Sequence, residues 1–198
     1  MKKAGKRTLK RTGKYVILGV ILLVVVLLLP HETGGPPELV ITVNGQVVYY
    51  KLELSSWDNM DPYYDGMEYD RLTHVQYIVR LQSDKVSYVP LGGMVTIEFK
   101  GTPPEKFRLY EELVDKEGTY YDSSGNIAPK FKDGIISFEF KANSDAFLWD
   151  VPEETVHRGF LLGCEFEPVF DKGSRNCLYI FVVKTDSGDP RLTKEDLP

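Results

Sequence analysis

Two cysteines, Cys164 and Cys177, and three histidines, His31, His74 and His157, are all the thiol and imidazole ligands that 198 residues provide. Two cysteines exclude a disulfide-dense scaffold and a four-cysteine zinc site. The histidines stand apart from one another and from the cysteines, without the close spacing of metal ligands. A phosphate loop, a G-x-S-x-G elbow and a distinct pair of catalytic carboxylates are also missing. Nothing in the chain calls for a cofactor. Long amphipathic helical patterns are absent too, which turns attention to strands.

Acidic residues are missing from the first thirty positions. Lys2, Lys3, Lys6, Arg7, Lys10, Arg11 and Lys14 give that stretch a charge of +7. The other 168 residues hold 17 basic and 29 acidic side chains, a charge of -12. Phosphate binding needs clustered Lys and Arg, so the acidic body excludes nucleic acid as its main partner.

Tyr15–Leu29 is fifteen residues without a charge, closed by Pro30. As a helix it would span roughly 22 Å at about 1.5 Å per residue. A bilayer core is about 30 Å thick, and a flanking Lys14 that snorkels, or local thinning, would bridge the difference. A basic start and a short apolar run also describe a cleaved secretory signal. No small-residue cleavage pair follows Leu29, and no lipid-attachment cysteine is near, because the first cysteine is Cys164. The preferred reading is therefore an uncleaved, single-pass signal anchor in the cell membrane. The cationic flank orients it with the N-terminus in the cytoplasm and the acidic body outside. The expected organisation is a basic stub over 1–14, an anchor over 15–30, a Pro- and Gly-rich linker over 31–37, a β domain over 38–185 and a loose polar tail over 186–198.

Past the linker the period changes to two. Glu38–Val43, the pair Asn44-Gly45 and Gln46–Leu52 predict strand, type I′ turn and strand. Val95–Phe99 and Ile135–Phe140 alternate, and Phe160–Phe166 and Cys177–Val183 are apolar and β-branched or aromatic like core strands. Weaker strands are expected at Val75–Leu81, Phe107–Leu113 and Phe147–Val151. Glu105–Lys116 fits a helix about as well as a strand. Turns are expected at Gly92-Gly93, Pro103-Pro104, Ser123–Asn126, Lys132–Gly134 and Asp171–Ser174. About eight short strands at turn-separated spacing predict an all-β, antiparallel β-sandwich.

Pro36–Gly45 followed by Ser56-Trp57, then Gly93–Phe99 with Pro103-Pro104, then the pair Phe160–Phe166 and Leu178–Val183, resembles a known type of domain. The type it resembles is the small extracytoplasmic immunoglobulin-like domain of Gram-positive bacterial lipoproteins and antirepressor-type membrane sensors. The resemblance covers roughly residues 36–185. It implies an immunoglobulin-like sandwich facing the cell wall and no known enzyme activity, with the signal anchor in place of the lipid. The expected role is binding or sensing of an envelope protein or cell-wall ligand. The alternative is a structural envelope protein without a small ligand.

The candidate binding residues are Trp57, Asp58, Asp61 and Asp65. With Glu68 and Asp70 the run after Trp57 places five carboxylates in thirteen residues, among Tyr63, Tyr64 and Tyr69. Calcium takes six to eight oxygens, so calcium is one candidate ligand, although the spacing is not that of an EF-hand. A solvated acidic loop is the plainer reading, and Trp57 is read first as a core anchor. Cys164 and Cys177 form a candidate disulfide. A tight turn at Asp171–Arg175 would offset them by five residues, roughly 17 Å along a strand and beyond a disulfide's reach of about 7 Å. A strand that ends at Glu167-Pro168 lengthens the loop and lets them meet. A sortase-like cysteine transpeptidase would need Cys164 activated by Arg175 and by His74 or His157. The neighbouring Glu165 works against that activation.

Overall fold

The computed structural model describes residues 35–57, 73–115, 117–143, 154–167 and 175–192. The chain divides into two units, Met1–Gly35 and Pro36–Pro198, and the description concerns the second. Among the described residues no helix is long and apolar enough to cross a membrane. The apolar run Tyr15–Leu29 lies outside them, as does the strand expected at Phe147–Val151.

The second unit is mostly antiparallel β-structure, arranged as two sheets that share one core. β1 (Leu39–Val43) buries Leu39, Ile41 and Val43 and exposes more of the residues between them. Asn44 and Gly45 both take positive φ, 52° and 79°, and turn the chain into β2 (Gln46–Val47). That is the type I′ geometry which Asn-Gly favours. The predicted second strand does not continue through Leu52. The chain leaves the first sheet at the buried Val48, and β3 (Tyr50–Ser56) joins the second. Tyr50 fastens this crossing: its hydroxyl accepts from the Leu39 amide at 3.0 Å.

The strand expected at Val75–Leu81 is a helix, α1 (His74–Leu81). Its start is fixed by a capping box. Thr73 Oγ1 accepts from the Gln76 amide at 3.2 Å, and Gln76 Oε1 accepts from the Thr73 amide at 2.9 Å. Val75, Ile78 and Val79 then fall on one face at helical spacing and pack on Val114, Leu161, Ile180 and Val182. A 3-10 turn (Ser83–Lys85) and β4 (Ser87–Tyr88) follow.

β5 (Met94–Phe99) and β6 (Lys106–Val114) come next, so the segment that fitted helix and strand alike is a strand over Lys106–Val114. β7 (Tyr120–Ile127) runs through Ser123–Asn126, where a turn was expected. Between Leu109 and Glu111 its register moves from Ile127 to Ser124, so β7 carries an extra residue there. Such a bulge lets a Gly-containing polar run remain paired. β8 (Lys130–Lys132) and β9 (Ile135–Glu139) form a hairpin over Asp133 and Gly134, both at positive φ. β10 (Thr155–Phe166) and β11 (Arg175–Asp186) pair over their full lengths.

One sheet has the order β2-β1-β5-β9-β8 and the other β3-β11-β10-β6-β7, with β4 beside β11. Their facing sides meet through ring pairs such as Phe99–Tyr179 and Phe138–Phe160. β10 and β11 are buried on both faces, by this core and by α1, which explains their near-continuous apolar sequence. The segment read as a tail is packed as far as Asp189: Ser187 and Asp189 are buried, and Arg191 pairs with Asp189.

Candidate functional site

Arg158 and Glu111 lie between the sheets, 5% and 4% exposed. The register explains how they meet. Phe160 opposes Glu111, and Arg158 stands two residues earlier on the same inward face of β10. Arg158 Nε donates to Glu111 Oε1, and its Nη1 donates to the Lys141 carbonyl. The guanidinium also lies 4.6 Å from the Phe140 ring centroid and 5.6 Å from that of Phe160. Beside the pair is a cleft of about 280 Å³, bordered by Ile127, Phe138, Lys141 and Asn143. At its rim Lys141 pairs with Glu139 at 2.9 Å. The cleft has room for a small polar molecule, but the guanidinium is already held by a carboxylate, a carbonyl and two rings. Sequence reading missed this pair. Its signal was phase: Arg158 falls in step with Phe160, Leu162 and Cys164, and Glu111 in step with Leu109 and Leu113.

Trp57 follows β3 and is 3% exposed. Its ring meets Phe166 edge-on at 5.4 Å, and the Arg175 guanidinium lies 5.2 Å from it. Trp57 is thus a core anchor, and its ring is covered. Asp58, Asp61 and Asp65 lie outside the described residues, so of the four only Trp57 has a described position. Among the described residues no three potential ligands gather around a metal position.

Cys164 and Cys177 are directly opposed in the β10–β11 register, and in the structure both are free thiols buried in the core, not joined as the candidate disulfide. β10 ends at Phe166, so the five-residue offset does not arise. Burial pushes the Cys164 thiol well above its usual range and that of Cys177 up to about 11. Neither histidine named with Cys164 is bound to it. His157 Nδ1 lies 3.1 Å from the Asp115 carbonyl. His74 Nδ1 lies 2.9 Å from Glu53 Oε2, and Lys51 reaches the other Glu53 oxygen at 2.7 Å.

The Glu53–His74 contact ties β3 to the first turn of α1. The hydrogen bond from His74 holds the Glu53 carboxyl down to about 2, and the same bond raises the His74 imidazole above 6.5. A raised imidazole stabilises the fold fully below about 6.5, its unfolded pKa, and loses that effect as pH rises through its folded value. A depressed carboxyl contributes above its model value of 4.5 and loses its effect as pH falls towards about 2. Wild type should therefore exceed His74→Gln in thermal midpoint most clearly between about pH 4.5 and 6.5. The side chains are 43% and 27% exposed, which keeps the advantage below about 1 kcal/mol. Midpoints of both proteins measured from pH 3 to 9 check this. A difference that grows above pH 7 would contradict it.

Comparison with protein-family models, curated proteins and solved structures finds no match to this chain.

Proposed function

We propose that the chain is a membrane-anchored, extracytoplasmic binding or sensing module of a bacterial envelope, with an immunoglobulin-like body and no catalytic role. The observation that carries this reading is the charge division. Seven cations and no acid precede the uncharged Tyr15–Leu29, and an acidic β-structured unit follows.

Strand order supports the immunoglobulin-like reading. With β2, β3, β4 and β7 taken as additions, the remaining strands in chain order are A to G. The sheets then read A-B-E-D (β1-β5-β9-β8) and G-F-C (β11-β10-β6), which is the immunoglobulin arrangement. Folds of this kind present loops at the ends of a rigid body, which suits recognition. The contact segment we assign is the acidic and tyrosine-rich run Asp58–Asp70, from its composition. A body at -12 is repelled by anionic wall polymers, so its partner is a neutral or basic surface, best met by an envelope protein. A sortase-like route has no support, because Cys164 is buried with a raised thiol and both histidines have other partners.

A membrane-impermeant amine crosslinker applied to intact cells tests the proposal. The expected product joins the body to an envelope protein. A body that reacts and stays unjoined favours the structural role, and one that does not react overturns the location.

A further inference from the structure

We propose that Cys164 and Cys177 are joined by a cross-strand disulfide that staples β10 to β11. The inference rests on the external location proposed above, because dithiols stay reduced in the cytoplasm and are oxidised outside it.

Register carries the geometry. Cys164 opposes Cys177 directly, flanked by the pairs Gly163–Leu178 and Glu165–Asn176, with Phe166–Arg175 closing the ladder. Opposed residues in antiparallel strands have Cα atoms about 4.5 Å or 5.5 Å apart, depending on the hydrogen-bonding position. A disulfide accepts about 4.4–6.8 Å, so either position serves. The pleat points both side chains the same way, into the core beside Tyr179 and Phe166. These are the only cysteines in the chain, so no other intramolecular pairing competes.

Closure is a thiol–disulfide exchange with an envelope oxidant protein that carries a reactive disulfide. One cysteine, as thiolate, attacks a sulfur of that disulfide. The oxidant's S–S bond breaks, a mixed disulfide forms, and one thiolate leaves. The second cysteine attacks its neighbour's sulfur in the mixed disulfide, the Cys164–Cys177 bond forms, and the oxidant's other sulfur leaves. Two electrons pass to the oxidant, which departs as a dithiol with the two protons. Cys164 is 4% and Cys177 3% exposed, and their thiolates are scarce once folded. The exchange therefore belongs to the folding chain, and the finished bond is shielded from reductants.

The test uses the full chain expressed in a Gram-positive host. Cells are quenched in acid and denatured in a maleimide reagent, with and without prior reduction. No thiol should react before reduction, and two should react after it. The impermeant amine label on intact cells reports location in parallel. A labelled body with two reactive thiols before reduction overturns the disulfide and leaves the proposed function standing. An unlabelled body whose thiols are blocked until reduction keeps the disulfide and removes the proposed location. An unlabelled body with two reactive thiols removes both. As a second readout, the purified chain reduced in denaturant and refolded in reductant should melt about 5–10 °C below the oxidised chain, as expected for a closed loop this short. A Cys164→Ala, Cys177→Ala chain should not respond to reductant. An equal midpoint for oxidised and reduced wild type would overturn the stapling role.

Discussion

Arg158→Met is expected to lower the stability of the β-structured body by about 3–5 kcal/mol, the usual cost of breaking a buried ion pair from one side. The substitution conserves length and apolar volume but removes the guanidinium from Glu111, a carboxylate only 4% exposed. It also removes the donor to the Lys141 carbonyl and the cation over Phe140. The cost arises mainly from taking the Arg158 guanidinium away from a carboxylate that stays largely buried. The double variant Glu111→Leu, Arg158→Met is therefore expected to recover most of the loss, since apolar replacement of a whole buried pair is often neutral or stabilising. Urea unfolding of the full chain in detergent, followed by circular dichroism, measures both. A single variant within about 1 kcal/mol of wild type would place the pair in the solvated class and contradict its burial.

Gly159→Ala is expected to cost about 1–3 kcal/mol by overpacking, and to loosen α1 selectively. A Cβ on Gly159 would stand 2.1 Å and 2.4 Å from the two methyl carbons of Val75, and 2.8 Å from its Cβ. Val75 is fully buried, so it cannot swing away. Gly159 thus serves by having no side chain where α1 crosses β10. Adding Val75→Ala removes the two closest atoms and should restore part of the stability, although the remaining Cβ is still tight. Hydrogen exchange should rise in His74–Leu81 of the single variant before it rises in β10. An unchanged stability with α1 still protected would show that the helix does not sit on Gly159.

Strands with both a period of two and a matching turn were legible in the sequence. β1 alternates cleanly and ends at Asn44-Gly45, and β9 alternates and begins after Asp133-Gly134. α1 was not legible from apolar spacing. Val75, Tyr77, Val79 and Leu81 satisfy a strand's period as well as Val75, Ile78 and Val79 satisfy a helix's, and eight residues are too few to decide. The deciding information was polar, in the Thr73–Gln76 capping box. β7 was hidden for a different reason. Ser-Ser-Gly-Asn has turn chemistry, and the partner strand β6 overrides it through a bulge. Trp57 as a core anchor was legible. The Arg158–Glu111 pair was not read, because a charge in an inward phase is noticed only once the strand's facing is known. Which way Cys164 and Cys177 align depended on where β10 stops, and Pro168 had pointed to the correct side of that choice.

In the topology proposed above, the acidic β body lies outside the membrane and the basic N-terminus inside. Protease digestion of intact protoplasts that carry the full chain with an N-terminal tag tests it most directly. The expected result is loss of the full-length band without lysis, and a tagged remnant, protected until detergent is added, that ends within the Pro- and Gly-rich residues 31–37. A chain that stays full length until the protoplasts are lysed would contradict it.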